Sequence, residues 1–320
     1  MNLSQPLRIT AGIALLVLAF GTMAAGQDVN SNAGTSSFSF LKINVGSRAV
    51  AMGGAYTGLA DDEVSLYYNP AGIAALEERR FIGEYHDYFA GLQSGFAGVV
   101  MPIGRGNDKA IGFHITYLDY GEFIQTDQSG NEEGTFGGSD MVFAATFAMR
   151  KTYQLYLGAT AKFIYESIQD YSASGVAVDL GIRYMSNRGR YVGGLAVQNL
   201  GAQLSSLGDG DKDGLPTTLR AGVSAKPPGL FAILTGDLIV PFDNDIDVAF
   251  GAEYYNARPL LLRLGWNSFG SNYRSEYSDN GLAGLNFGIG IELKKIEFSY
   301  AYSPAADLGD SHRVTIAGGF

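Results

Sequence analysis

The sequence contains no cysteine among its 320 residues, and charged side chains make up only 17% of it. Without cysteine, the chain forms neither a disulfide scaffold nor a thiolate metal site. After the N-terminus there is no leucine-rich run of the ~20 residues that a membrane-spanning helix requires, which disfavours a bundle of such helices. The net charge of −10 argues against nucleic acid as the main partner.

Glycine and aromatic residues are the types in excess, with 44 Gly, 19 Tyr and 19 Phe. Glycine occurs at about twice its usual ~7%. The chain has enough apolar surface to fold, so disorder is excluded. This composition suits short β-strands joined by turns, yet low charge with high aromatic content is unusual for a soluble protein of this size.

The N-terminus has the three parts of a secretory signal peptide. Residues 1–8 carry one positive charge, residues 9–20 are an apolar stretch, and residues 21–26 are mostly small. This pattern predicts a signal peptide over residues 1–26, cleaved near Ala25 or Gly26. The alternative, a membrane-anchoring helix, requires a longer apolar stretch and charged flanks. Because no cysteine follows, a lipoprotein anchor is excluded, and we expect the mature protein to leave the cytoplasm.

From residue 79 onward, apolar residues alternate with small or polar ones. In one example Val176, Val178 and Leu180 alternate with Ala177 and Asp179, and a period of two predicts β-strands. Most of the predicted runs match the ~9–11 residues that a tilted strand needs to cross a bilayer. The predicted strands span residues 79–88, 94–103, 109–120, 139–149, 154–166, 174–186, 190–200, 217–226, 230–240, 246–255, 259–269, 281–293, 295–303 and 311–320.

The connections between these strands alternate between short basic turns and longer acidic loops, such as residues 121–138. This alternation is typical of outer-membrane barrels, whose long loops lie outside the cell when both termini are periplasmic. The sequence therefore predicts an all-β fold, a transmembrane antiparallel up-and-down barrel of about 14 strands over residues 79–320. The alternative is a secreted soluble β-protein. A propeller should show a repeat of about 40–50 residues, which is not seen, and a soluble sheet should carry charges along its outward face.

The last predicted strand ends on an aromatic residue, Phe320. A terminal aromatic that closes an alternating strand resembles the signal that the barrel-insertion machinery of Gram-negative bacteria reads. The resemblance implies that this machinery and outer-membrane lipid are partners of the chain. It also implies a location in the outer membrane of a Gram-negative bacterium.

Residues 27–78 follow neither the helical nor the strand period, and they contain the most distinctive sequence motifs in the chain. Small residues dominate 46–55, then Ala60-Asp61-Asp62 and Tyr67-Tyr68-Asn69-Pro70-Ala71-Gly72 follow. Together these motifs resemble the N-terminal signature of FadL-like outer-membrane proteins, and more closely that of the PorV/PorQ family. The resemblance implies a fourteen-stranded barrel in which residues 27–78 fold inside as a hatch or plug.

Two functions follow from the resemblance. PorV-type proteins are linked to type IX secretion, where they hold or shuttle secreted cargo proteins, so a non-enzymatic docking or secretion accessory is the main expectation. The alternative is a FadL-like transporter of hydrophobic small molecules, such as long-chain fatty acids or hydrocarbons. Its gate motif carries over to Asn69, Pro70 and Ala71, followed by Gly72. A passive porin needs an open lumen, against which residues 38–78 argue.

Two observations distinguish these functions. Transport predicts an apolar pocket in the lumen and a kink or gap in a wall strand near the hatch. Docking predicts a filled lumen and exposed apolar side chains on the long loops.

The residue types in the predicted hatch also suggest specific local contacts, independently of the family resemblance. Asn69 can cap a turn over residues 72–76 with Pro70 at its first helical position, and a simple helix cap is the alternative to a gate. We expect polar contacts of the hatch at Arg48, Asp61, Asp62 and Glu63. The three carboxylates are expected to meet inward-facing arginines of the wall, and the candidates are Arg183, Arg220 and Arg263.

One loop matches the start of a calcium-binding loop. Asp209, Asp211 and Asp213 have the D-x-D-x-D-G spacing, but the twelfth position is Arg220 where the motif needs Glu. Two readings stay open, a Ca²⁺ site completed by other loop oxygens and a solvated acidic loop. No other cofactor is expected.

Catalytic signatures are weak in this sequence. The three histidines, His86, His114 and His312, fall in separate predicted strands, and neither a G-x-S-x-G motif nor a phosphate-binding Gly-Lys motif is present. Because some outer-membrane barrels are phospholipases or proteases, an enzyme stays formally open. The expectation is a protein that is not an enzyme.

Overall fold

A computed structural model describes residues 32–104, 106–208, 210–271, 282–305 and 308–320. The predicted signal peptide lies outside these ranges. Fourteen strands form one closed antiparallel barrel, in which strands pair in sequence order and the first pairs with the last. This confirms the predicted all-β fold and strand number. Among the described helices, none has the length and apolar character needed to span a bilayer.

The strands lie close to their predicted positions, with one large difference. β3 and β4 are 18 and 19 residues long, so most of the predicted loop 121–138 is a β-hairpin. The strands are β1 Arg80–Asp87, β2 Gln93–Ile103, β3 Lys109–Thr126, β4 Glu132–Arg150, β5 Leu155–Ile168, β6 Tyr171–Met185, β7 Tyr191–Ser205, β8 Thr218–Ala225, β9 Ala232–Pro241, β10 Asp247–Tyr254, β11 Leu260–Asn267, β12 Leu285–Leu293, β13 Ile296–Pro304 and β14 Asp310–Gly319.

The wall of the barrel is apolar outside and polar inside. In β6, Val176, Val178 and Leu180 have 40–48% of their surface exposed, whereas Asp179 and Arg183 are almost completely buried. A water-soluble barrel would bury the apolar set, because burying charge without a partner is costly. The exposed apolar face is therefore the surface that lies against lipid, and the strands span the outer membrane.

The two rims of the barrel differ, and we call them the turn rim and the loop rim after their connections. At the turn rim, the backbone N–H of Phe320 donates to Arg79 O, and Lys295 Nζ lies 2.6 Å from a Glu78 carboxylate oxygen. At the loop rim, Ser36 forms a β-bridge with Gly214, in the β7–β8 loop. Both ends of the barrel wall lie at the turn rim, where Arg80 of β1 pairs with Gly319 of β14. The described part of the N-terminal segment begins at the loop rim and crosses the barrel before β1 starts.

This N-terminal segment, residues 32–79, consists of short helical turns and irregular backbone, as its lack of periodicity predicts. Its large side chains are buried and form the core of the molecule together with inward-facing wall residues, among them Phe96 and Val100. Its helices are the 3₁₀-helix Ser39–Lys42, α1 Ser47–Ala51, α2 Ser65–Tyr68 and the 3₁₀-helix Pro70–Ala75. Two further short helices are the 3₁₀-helix Phe89–Gly91 and α3 Ser268–Ser271.

Candidate functional site in the barrel lumen

Glycines on the inward face of the wall let the N-terminal segment approach the strands closely. At Gly181 of β6 there is no room for a Cβ atom, because Asn69 Oδ1 and the Pro70 ring occupy that position. At Gly194 of β7, the carbonyl of Thr57 occupies the position that a Cβ atom would need. The excess of glycine in the sequence is therefore used in part to seat this segment against the wall.

Asn69 caps a helix and also binds the wall. Its Oδ1 accepts a hydrogen bond from Ala71 N at 3.2 Å, in front of a 3₁₀-helix whose first residue is Pro70. Its Nδ2 donates to Thr57 O at 2.9 Å and to Ile182 O of β6 at 3.1 Å. The predicted cap is present, and the second amide atom adds a direct bond to a transmembrane strand that the sequence does not show.

The last residue of the predicted gate motif, Gly72, lies in the same 3₁₀-helix. The carbonyl of Ala60 and the side chain of Ser65 fill the space that a Cβ atom at Gly72 would need. A larger residue at this position would therefore push apart two parts of the N-terminal segment.

Arg48 of α1 joins the N-terminal segment to itself and to the wall. Its Nη1 lies 2.8 Å from Asp61 Oδ1 and 2.9 Å from Asp62 Oδ2. Its Nε and Nη2 donate to the two carboxylate oxygens of Glu253 in β10, at 2.8 and 2.9 Å. Glu253 also accepts from Arg263 Nε at 2.7 Å. Two arginines therefore share one buried carboxylate, and this cluster fixes α1 to β10 and β11.

The partners of the segment's acidic residues differ from those expected. Arg183, Arg220 and Arg263 face inward, as their strand phase predicts. However, Glu63 pairs with Arg80 at the start of β1, and Asp61 lies 3.7 Å from Lys226. The physical reason is position, since these carboxylates lie near the turn rim, where β1 begins at Arg80 and β8 ends just before Lys226.

The three predicted arginines have other partners. Arg183 Nε donates to the carbonyl of Leu59, Arg220 pairs with Asp237, and Arg263 pairs with Glu253.

The half of the lumen near the loop rim is lined by apolar wall residues, and the chain itself fills the space between them. Phe38, Phe40 and Leu41 belong to a segment that we call the aromatic strap, residues 36–43. Gly175 of β6 leaves room for the ring of Phe38. The strap is held at both ends by one carboxylate, because Asp243 accepts from Ser36 Oγ and pairs with Lys42 Nζ. The apolar residues around it are Leu118, Val142, Ala144, Ile164, Ala173, Ala177 and Leu215.

Sequence reasoning missed the strap as a functional element. The available signal was the apolar run from residue 38 to residue 41 directly after a polar, glycine- and serine-rich stretch. What could not be read from the sequence is that wall residues from four strands gather around it.

A cavity of about 170 Å³ remains between the strap and the opposite side of the wall. Leu41, Ile43 and Tyr67 of the N-terminal segment line it together with wall residues, among them Arg220 and Arg313. Its lining is therefore mixed, with apolar and charged residues on both the segment and the wall. Such a space can hold a small molecule or several water molecules.

The remaining predicted site residues that the structure describes lie outside the lumen. Asp209 is outside the described residues, while Asp211 and Asp213 are exposed, and the backbone N–H of Asp213 donates to Gln203 Oε1 at 2.8 Å. Within the described parts of the chain, no group of three His, Asp or Glu residues is placed to hold a metal ion. Calcium binding stays a prediction, as does the insertion signal at Phe320, whose ring lies 6.2 Å from that of Phe81.

Comparisons with solved structures define the class of barrel. The chain is similar to the toluene transporter TbuX of Ralstonia pickettii, with a TM-score of 0.58 and 16% identity over 87% of this chain and 98% of that one. It is also similar to the toluene transporter TodX of Pseudomonas putida, with a TM-score of 0.56 and 14% identity over 86% and 96%. A FadL homologue of Pseudomonas aeruginosa gives a TM-score of 0.53 and 11% identity over 92% and 99%. The fold is therefore that of a FadL-type outer-membrane barrel.

Sequence comparison identifies the family. A comparison with curated protein sequences finds no match. The family described as "Type IX secretion system protein PorV" matches residues 26–227, which is more than half of the chain. The chain belongs to this family, as its N-terminal signature predicts. It is a PorV-like outer-membrane β-barrel of a Gram-negative bacterium.

Proposed function

We propose that the protein holds a secreted protein at the cell surface with its loop rim, while the N-terminal segment stays inside the barrel. One observation carries this proposal. The apolar part of the lumen, where a hydrophobic molecule would bind, is occupied by Phe38, Phe40 and Leu41 of the chain itself. A filled lumen is what docking predicts.

Exposed apolar side chains on the loop rim support the same function. Large apolar residues in the long connections and strand extensions have between 40% and 62% of their surface exposed. Exposed apolar groups outside the lipid-facing band need another reason, and a protein partner provides one. These residues are Phe123, Ile124, Tyr171, Leu204, Phe242, Ile246 and Leu308.

The alternative function, transport of a hydrophobic molecule, has two observations in its favour. One is the cavity beside the strap. The other is a register shift between β6 and β7, where Asn199 has a left-handed φ of 58°. This is the kind of wall irregularity that transport predicts. However, Lys162 fills its inner side, with Nζ 2.8 Å from Asn199 Oδ1 and 2.7 Å from Asp179 Oδ2.

A reversible lock on the N-terminal segment separates the two functions. Ser47 Oγ and Thr315 Oγ1 lie 2.7 Å apart across the segment–wall contact. The double variant Ser47→Cys/Thr315→Cys should form a disulfide that is unique, because the chain has no cysteine of its own. Docking predicts that oxidised and reduced protein retain the same amount of a type IX cargo protein on intact cells.

The matched measurement is uptake of a labelled long-chain fatty acid by the same cells. If the oxidised form lost uptake and the reduced form regained it, the N-terminal segment would be a gate and the docking proposal would be wrong. The two single-cysteine variants control for the substitutions themselves.

We also propose that the protein has no catalytic role. The arrangement of His86 supports this, since its two ring nitrogens contact Ser94 Oγ at 2.8 Å and Ser311 Oγ at 2.7 Å. In catalytic triads a carboxylate or an amide on the second ring nitrogen orients the histidine, whereas His86 has a serine hydroxyl on each nitrogen. Purified protein should therefore hydrolyse neither phospholipid vesicles nor casein above the rate of a His86→Gln variant.

A further inference from the structure

The hairpin formed by the ends of β3 and β4 extends past both of its neighbours in the barrel. We call residues 120–137 the rim hairpin. The β2–β3 ladder ends at the pair Gln93–Asp119, and the β4–β5 ladder ends at Gly138–Ile168. Within residues 106–208, which the structure describes without a gap, no strand pairs with the outer edge of residues 132–136. This edge therefore presents backbone N–H and C=O groups that another strand can bind.

The rim hairpin is ordered by bonds at its root and at its tip. At the root, Tyr120 Oη donates to Asp140 Oδ2 at 2.7 Å. At the tip, Asp127 Oδ1 accepts from the backbone N–H groups of Ser129 and Asn131, both at 2.8 Å. The hydrogen bond from the Asn131 side chain lowers the pKa of Asp127, which keeps this cap ionised. An edge that is already ordered loses less conformational entropy when a partner strand adds to it.

The charged side chains of the rim hairpin are all acidic. Between Ala110 and Met149 the sequence has no lysine and no arginine. Glu122, Glu132 and Glu133 are exposed on the hairpin. Two copies of such an edge repel each other, so the carboxylates disfavour pairing with a second copy of this chain. The same carboxylates attract a strand that carries lysine or arginine.

Apolar side chains accompany this charge. Phe123 and Phe136 are paired across the hairpin, with ring centroids 5.4 Å apart. Phe136 continues the inward set of β4, which contains Asp140 and Val142, so this aromatic pair lies on the side of the barrel mouth. Ile124 has 61% of its surface exposed. A strand added beside residues 132–136 would have Glu132, Glu133 and Phe136 as its direct neighbours, because Phe123 and Ile124 belong to β3.

We propose that the edge of residues 132–136 binds a partner protein by strand addition, and that the added strand is extended, basic and apolar in alternation. This inference rests on the docking function proposed above and names the surface and the chemistry of the partner. Five residues of strand span roughly 17 Å, which is the length of an ordinary β-strand. Backbone hydrogen bonds supply the affinity and the glutamates supply the selectivity.

The test uses the full-length protein in detergent micelles and a fluorescent seven-residue peptide in which lysine alternates with valine. A second peptide has the same sequence with alternate amides N-methylated, so that it keeps its charge but cannot complete a ladder. Fluorescence anisotropy should give a dissociation constant at least tenfold higher for the methylated peptide. Glu132→Lys should weaken binding of the first peptide by about tenfold or more. The matched control Glu122→Lys, on the opposite edge, should change binding by less than about threefold.

Equal binding of the two peptides would overturn the proposal, because it would show attraction by charge without strand addition. Equal losses in the two glutamate variants would place the binding elsewhere on the hairpin and would also overturn it. The cargo-retention assay with the disulfide lock is independent of these measurements. The peptide measurements therefore test strand addition, and the cargo-retention assay tests the docking function, so one proposal can fail without the other.

Discussion

At the scale of single residues, the inward glycines determine how closely the N-terminal segment approaches the wall. Gly193 and Gly194 are neighbours in β7 and face opposite sides of it. A Cβ atom at Gly194 would overlap the carbonyl of Thr57, whereas at Gly193 it would meet nothing within 4 Å. Alanine substitutions at these two positions reduce the flexibility of the unfolded chain equally, but only the substitution at Gly194 creates a steric clash. Comparing the two therefore isolates the steric effect.

Gly194→Ala should lower the free energy of unfolding by about 1–3 kcal/mol, the usual cost of overpacking a tight contact. Gly193→Ala should leave it nearly unchanged, because the added methyl group has space. Urea titration of tryptophan fluorescence in lipid vesicles measures both, since Trp266 is the one tryptophan of the chain. Equal destabilisation by the two substitutions would contradict the steric role of Gly194.

At the scale of elements, α1 is attached to the wall by the ion pair of Arg48 with Glu253 and by hydrogen bonds of Ser47 to Thr315. The helix has only five residues, so it has little stability of its own. Its orientation depends on Glu253 in β10 and on the carboxylates of Asp61 and Asp62. Removing the guanidinium would leave these acidic groups close together in a mostly buried site.

Arg48→Met should therefore cost about 3 kcal/mol of stability, as is usual when one partner of a buried ion pair is removed. The matched control is Lys226→Met, which removes a half-exposed partner of Asp61 and should cost less than about 1 kcal/mol. Limited proteolysis of the N-terminal segment, measured beside urea unfolding, should accelerate only for Arg48→Met. Similar behaviour of the two variants would show that the Arg48 ion pairs do not hold α1 in place.

The sequence predicts elements of this molecule better than it predicts contacts. The number of strands could be predicted because lipid requires each strand to be apolar along its outward face. This requirement produces an alternating pattern that can be counted in the sequence. The long β3–β4 hairpin was missed, since outside the bilayer that constraint ends and Gly134, Gly137 and Gly138 look like a loop. The partners of Asp61 and Glu63 could not be predicted, because they depend on where the segment crosses the barrel.

At the scale of the whole molecule, the N-terminal segment runs through the barrel from the loop rim to the turn rim. Ser36 and Lys42 contact the long loops, whereas Glu78 contacts Lys295 in a short turn. The described part of the segment therefore starts at the outer face of the membrane, although β1 starts at the inner face. Along this path the segment fills much of the lumen, beside the cavity of about 170 Å³.

The path predicts which side of the membrane each end of the segment faces. Gly34 precedes the strap, and Gly229 lies in the β8–β9 turn; both are exposed and have left-handed φ, so a cysteine strains each site similarly. Because the chain has no cysteine of its own, each label is unique. A membrane-impermeant maleimide should label Gly34→Cys on intact cells and Gly229→Cys only after the outer membrane is permeabilised. Labelling of both variants only after permeabilisation would place the start of the segment at the turn rim, and the strap could then not close the lumen from outside.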